Sequence, residues 1–190
     1  MSAKIAIFVS GNGTNCENII RYFDHRDTAD VVLVVSSRSD AYAIERAKRL
    51  GVPTVVMGKQ ELNNSDRLMP LLRERGVSFI VLAGFLLMVP DFLIDAYDHR
   101  IVNIHPSLLP KYGGRGMWGH HVHEAVKAAG DTETGITIHY VDRQCDGGEI
   151  IFQARTSVSP DDTADDIAEH VHLLEQQYFP QIIEQTVCKQ

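Results

Sequence analysis

Asn103 and His105 stand two residues apart in the apolar, β-branched run Ile101–His105 (I-V-N-I-H). On a strand, side chains at i and i+2 point to the same face, so this amide and this imidazole can address one small object together. An imidazole exchanges a proton near neutrality and an amide is a fixed hydrogen-bond donor, so the pair suits general acid–base work beside a polarised group. A third polar group is offered by Asp146, within D-R-Q-C-D-G-G-E (residues 142–149), where Gly147 and Gly148 let the backbone approach closely. A carboxylate near an imidazole orients the ring and favours its charged form. Plainer readings also fit: His105 as a hydrogen-bonded core histidine, and Asp146 as a turn residue before Gly. His139 has a similar strand setting but no polar companion at that spacing, and is expected to be a core histidine.

A second constellation is S-G-N-G-T-N: Ser10, Gly11, Asn12, Gly13, Thr14 and Asn15. At a strand-to-helix junction it would present backbone N–H groups and side-chain donors at a helix N-terminus, which is an anion site. It lacks the third glycine of a dinucleotide fingerprint and the Lys of a P-loop, and a tight turn using Asn and Gly for positive φ explains it equally. His120, His121 and His123 suggest zinc, but three ligands in four helical residues cannot converge on one ion and no nearby Cys or carboxylate completes a set, so no metal is expected. Cys145 could pair with His139 as a nucleophile, yet only Arg143 near it is basic, which favours a structural thiol. Glu175 is by default a solvated charge on the last helix.

These groups need a scaffold. At 190 residues, 44% hydrophobic and 23% charged, the chain fits one globular domain, 1–190. No segment reaches the roughly 18 apolar residues of a membrane span, and no leader is evident, so a cytoplasmic location is expected. A net charge of −7 argues against a broad nucleic-acid or anionic-membrane surface, while leaving room for a small anion held locally. Cys16, Cys145 and Cys188 are odd in number and widely spaced, as in a reducing compartment.

Short apolar runs at 4–10, 31–35, 53–57, 79–83 and 101–105 alternate with helical spacing at 16–23, 41–50, 63–75 (despite Pro70) and 90–97. Such alternation predicts an α/β fold with a doubly wound, mostly parallel twisted sheet, which binds ligands beyond the carboxyl ends of its strands. That edge would carry the Gly11 turn, the apolar loop 84–89 and His105. After a Pro/Gly-rich loop, a helix at 121–129 leads to two strands, 136–141 and 149–156, too closely joined for a crossover and hence antiparallel. Thr163 and Asp166 resemble a capping box for a long C-terminal helix, with Ile167, Val171, Leu174 and Tyr178 on its apolar side and a kink or restart near Pro180.

The residues N-I-H-P-S-L-L-P-K-Y (103–112), with S-G-N-G-T-N before, D-G-G (146–148) after, and L-A-G-F (82–85) and G-I-T-I-H-Y (135–140) in order, resemble the phosphoribosylglycinamide formyltransferase family of purine biosynthesis, from Lys4 to about Ile183. The resemblance implies the formyltransferase fold and transfer of a formyl group from the cosubstrate 10-formyltetrahydrofolate to the amine of 5'-phosphoribosylglycinamide, without a metal. It implies that Asn103, His105 and Asp146 are catalytic. It further implies that Gly11, Asn12, Gly13, Thr14, Asn15 and Glu175 bind the phosphoribosylglycinamide, and that Leu86, Leu87, Met88 and Val89 bind the folate together with Asn103 and Asp146. Small molecules are the expected partners, with no nucleic acid and no membrane, and the chain would be a monomer or homodimer.

This sequence departs from the family's pattern. Leu86-Leu87-Met88-Val89 stands where many members have Met-Arg-Ile-Leu, so a basic residue for the folate glutamate tail is missing; Lys59 is near, but not aligned with, a second family Arg. The loop 113–121 is longer than usual, and its Trp118 is expected to fold over the folate or report loop closure. A formyltransferase acting on methionyl-tRNA would need a further C-terminal domain and a basic surface, and a formyltetrahydrofolate hydrolase an extra N-terminal domain; neither is expected here. A non-catalytic phosphometabolite or folate-binding module would keep the glycine turn without needing Asn103, His105 and Asp146 together.

Overall fold

The computed structural model describes residues 2–189. Strands β1 (Ala3–Val9), β2 (Ala29–Ser36), β3 (Thr54–Val56), β4 (Phe79–Leu82), β5 (Ile101–His105), β6 (Glu133–Tyr140) and β7 (Ile150–Ser157) are interleaved with helices α1 (Thr14–Phe23), α2 (Tyr42–Arg49), α3 (Lys59–Leu62), α4 (Ser65–Glu74), α5 (Asp91–Ala96), α6 (His120–Ala129) and α7 (Ala164–Val187). The strand order is β3-β2-β1-β4-β5-β6-β7. β1 runs parallel to β2 and to β4, β2 parallel to β3, and β6 antiparallel to β7. The expected mostly parallel sheet with an antiparallel edge and a long C-terminal helix is therefore present. The chain divides into two compact units, one comprising residues up to Val102 and those from Ile183 onward, the other Asn103–Ile182.

In the first unit β1 is flanked on both sides, which is why its run from Ile5 to Val9 is apolar without alternation and wholly buried. Its register with β2 shifts between Ile5 and Ala6, so that Val32 is the extra residue of a bulge. α1 buries Cys16, Ile19, Ile20 and Phe23, one face of a helical period. The helix expected at 63–75 starts later, at Ser65, because Asn64 caps it by accepting from the Asp66 N–H at 3.0 Å. The preceding turn α3 went unexpected, being a single turn whose only buried side chain is Leu62. Pro70 lies inside α4 on its exposed side, where water can serve the carbonyl that the ring leaves unpaired.

In the second unit the link between β6 and β7 is as tight as expected: a Cβ at Gly148 would lie 1.9 Å from the Tyr140 carbonyl oxygen, so only glycine fits. α6 ends at Gly130, whose φ of +66° is left-handed. The capping box of α7 is formed: the Thr163 N–H donates to Asp166 Oδ2 at 2.8 Å and the Asp166 N–H to Thr163 Oγ1 at 3.2 Å. The restart at Pro180 does not occur, and α7 runs unbroken to Val187. Ile167, Val171, Phe179 and Ile183 are its buried stripe, while Leu174 and Tyr178 are half-buried.

Candidate active site

β5 delivers Asn103 and His105 from one face, as the two-residue spacing requires. His105 is 4% exposed. Its Nε2–H donates to the Tyr112 carbonyl at 2.7 Å, which fixes the ring and leaves Nδ1 turned toward Asp146 Oδ2, 3.6 Å away. That separation is longer than a hydrogen bond, so Nδ1 can serve a reacting atom as well as the carboxylate. Asp146 Oδ2 accepts from the Gly114 N–H at 2.9 Å, tying the carboxylate to the loop that follows β5.

The loop is knitted in place by Thr137. Its hydroxyl donates to the Ser107 carbonyl at 2.7 Å and accepts from the Leu109 N–H at 3.0 Å and from Gln153 Nε2 at 2.9 Å. Ser107 Oγ in turn donates to the Lys111 carbonyl at 2.6 Å. Tyr112 and Asp146 both have φ of +54°, left-handed backbone at non-glycine residues, and they are two of the three such residues described. Conformations of this kind cost on the order of 1–3 kcal/mol and persist where the surroundings over-determine them. Both flank the His105 ring.

His139 is the buried, hydrogen-bonded core histidine expected, and it also belongs to the same cluster, through a polar companion on another strand. Its Nδ1–H donates to the Tyr140 carbonyl at 2.8 Å. A carbonyl can only accept, so Nδ1 carries the proton and Nε2 is a lone pair in the neutral ring. Nε2 then accepts from Asn103 Nδ2 at 3.1 Å, which orients the amide, and it lies 3.8 Å from Asp146 Oδ1. Burial pushes the His139 imidazole below its ordinary range, which keeps it neutral and an acceptor. The signal that could have found it is in β6 itself: Thr137 and His139, two polar residues two apart in an apolar strand, mirror Asn103 and His105.

Glu175 is half-buried rather than solvated, with 14% of its side chain exposed and His172 Nδ1 at 3.4 Å. That hydrogen bond raises the His172 pKa, whereas burial lowers that of His123, whose Nδ1 has no partner. Cys145 directs its thiol to Asp146 Oδ2 at 3.7 Å and not to His139; burial and the carboxylate push its pKa up, the opposite of an activated nucleophile. Trp118 is exposed and packs edge-on against His121, ring centroids 5.1 Å apart.

In the first unit, the Gly11–Asn15 turn follows β1 and leads into α1, whose N-terminus has no side-chain cap. The loop after β4 is tied to Ser10: the Ser10 N–H donates to the Gly84 carbonyl and the Leu86 N–H to Ser10 Oγ, each at 3.0 Å. Leu86 and Met88 are left about half exposed, Leu87 is half-buried and Val89 is buried.

The formyl transferase family matches residues 3–183 of the chain. The chain belongs to that family. It is 38% identical over 186 residues to the chloroplastic phosphoribosylglycinamide formyltransferase of Arabidopsis thaliana, covering 95% of this chain and 64% of that one. The chain thus spans just under two thirds of the plant protein's length. It is 36% identical to the Bacillus subtilis phosphoribosylglycinamide formyltransferase, covering 96% of this chain and 93% of that one. The crystal structure of phosphoribosylglycinamide formyltransferase from Anaplasma phagocytophilum superposes with a TM-score of 0.90 at 30% identity, covering 99% of this chain and 88% of that one.

In this formyl transferase the three histidines of α6 do not converge. His120 and His121 are exposed and His123 is buried; Glu124 lies 3.7 Å from His120 and 3.3 Å from His121, and Asp165 3.6 Å from His120. Among the described residues no group of three or more His, Cys, Asp or Glu side chains is arranged to hold a metal ion.

Proposed function

We propose that this chain transfers the formyl group of 10-formyltetrahydrofolate to the amine of 5'-phosphoribosylglycinamide in purine biosynthesis, as a single formyltransferase domain. The observation that carries the reading is the meeting of Asn103, His105 and Asp146 in one cluster, with the His105 ring buried, in a formyl transferase family member whose relatives bear that name. Attack by the neutral amine on the formyl carbon gives a tetrahedral centre with an O⁻ and a protonated nitrogen. The Asn103 amide, oriented by His139, and the Nδ1–H of a protonated His105 are the donors for that oxygen. Asp146, directly or through a water, moves the proton from the attacking nitrogen to folate N10. The C–N10 bond then breaks, giving the formylated amine and tetrahydrofolate.

In this reading Gly11, Asn12, Gly13, Thr14 and Asn15 hold the phosphate, Glu175 contacts the same substrate, and Leu86, Leu87, Met88 and Val89 wall the pteridine. The chain works without a metal, in the cytoplasm, as a monomer or homodimer; no described helix is long and apolar enough to cross a membrane. The test is purified protein with synthetic phosphoribosylglycinamide and 10-formyltetrahydrofolate, following the absorbance change on deformylation. Deformylation that requires the amine supports the reading, and folate turnover without it would point to hydrolysis instead.

A further inference from the structure

The glycine turn of the first unit is held from one side by α2. The Ala43 N–H donates to the Gly11 carbonyl at 3.1 Å. Arg46 donates from Nε to the Asn12 carbonyl at 2.9 Å and from Nη2 to Asn12 Oδ1 at 3.2 Å. Gly13, at φ +78°, packs so closely that a Cβ there would lie 2.4 Å from the Ala43 Cβ. Across a trans peptide the C=O and the N–H point in opposite directions. Fixing the Gly11 and Asn12 carbonyls toward α2 therefore turns the Asn12 and Gly13 N–H groups the other way.

Charge poses a second problem for an anion here. Glu17 sits in the first turn of α1, where its carboxylate would repel a phosphate. Arg46 Nη1 donates to Glu17 Oε2, and Arg21 donates to Oε1 from Nε at 3.0 Å and Nη2 at 2.8 Å. Two guanidinium groups against one carboxylate leave the turn net positive. Arg46 is the better sheltered of the two, 23% exposed against 63% for Arg21, and it alone bonds the turn and the carboxylate together.

We propose that Arg46 is a positioning residue for phosphate recognition: one guanidinium aims the N–H groups of the turn and cancels Glu17, without itself being required to touch the substrate. The proposal rests on the reading that the turn holds the phosphate of phosphoribosylglycinamide. A lysine cannot reproduce it, because a point charge cannot span Asn12 and Glu17 with fixed, divergent donors.

The experiment compares wild type, Arg46→Gln, Arg46→Lys, Glu17→Gln and the Glu17→Gln/Arg46→Gln double variant, each with phosphoribosylglycinamide and with its dephosphorylated riboside. Arg46→Gln is expected to raise KM for the phosphorylated acceptor by about ten- to hundredfold, with kcat at saturation, activity on the riboside and folate-analogue binding unchanged within about threefold. Arg46→Lys should fall between, and Glu17→Gln should recover part of the lost affinity in the double variant, since the carboxylate that Arg46→Gln leaves to the more exposed Arg21 alone is then gone. Should Arg46→Gln not fold, Arg46→Lys and the single Glu17→Gln carry the test, the latter lowering KM severalfold. Equal losses on both acceptors, or no effect of Glu17→Gln in either background, overturn the role given to Arg46. A wild type that does not prefer the phosphorylated acceptor overturns the underlying phosphate reading, and the inference with it.

Discussion

Replacing His139 by Leu should slow catalysis although, in the reading above, His139 touches no reacting atom. The ring's Nε2 is the acceptor that holds Asn103 Nδ2 at 3.1 Å, and the ring is 2% exposed, so no water can readily take its place. Leaving a buried donor unpaired costs about 1–3 kcal/mol, and the amide regains rotation about its last torsion. If that cost is carried into the transition state, at 1.36 kcal/mol per tenfold, kcat falls between about 5- and 160-fold. His139→Gln places an amide oxygen near the position of Nε2 and should keep kcat within about fivefold of wild type, because an acceptor is restored. The assay is steady-state formyl transfer at saturating acceptor and formyl-folate, with thermal unfolding of each variant measured alongside. His139→Leu with unchanged kcat would refute the positioning argument. So would His139→Gln falling as far as His139→Leu, since the effect would then be one of shape and not of hydrogen bonding.

Asn103→Ala removes a proposed oxyanion donor worth about 3–4 kcal/mol in related chemistry and should lower kcat by at least about 10²-fold with the fold intact by circular dichroism. His139 and His123 are pushed below the ordinary value of 6.5 by burial, so below that pH the unfolded chain binds protons that the folded one refuses. Their stabilisation is complete above about pH 6.5 and declines at up to about 1.4 kcal/mol per pH unit for each as pH falls to the folded-state value. His172 acts oppositely, stabilising below 6.5 and losing its effect as pH rises through its raised pKa. Chemical denaturation of His123→Gln at pH 7 and pH 5.5 should therefore show a shallower acid loss than wild type. Trp118, exposed on its loop, should change emission when a folate analogue is added; an unchanged spectrum would place the indole away from the ligand.

Much of this molecule was legible in its sequence because the relevant signals are local. The unalternated runs of β1 and β4 announce strands covered on both faces, and the spacing of Asn103 and His105 puts them on one face whatever lies around them. Asp146 was legible through the glycines that follow it. What escaped depends on pairing over distance. His139 is the core residue it looked like, but its tie to Asn103, 36 residues away on another strand, escaped because only the register of the sheet brings the two together. Glu175 looked solvated because helical spacing does not report the surroundings that leave its side chain 14% exposed. The clasp of Arg46 on Asn12, 34 residues apart, is hidden for the same reason. α3 was missed because one turn with one buried leucine has no period to detect.

Single-turnover kinetics of His105→Ala isolate the chemical step that the Asn103, His105 and Asp146 cluster is proposed to perform. With enzyme in excess over 10-formyltetrahydrofolate and saturating phosphoribosylglycinamide, the rate of the chemical step should fall by at least about 10²-fold relative to wild type, while folate binding measured by equilibrium titration stays within a few-fold. Near-normal transfer by His105→Ala would mean that the chemistry is done elsewhere.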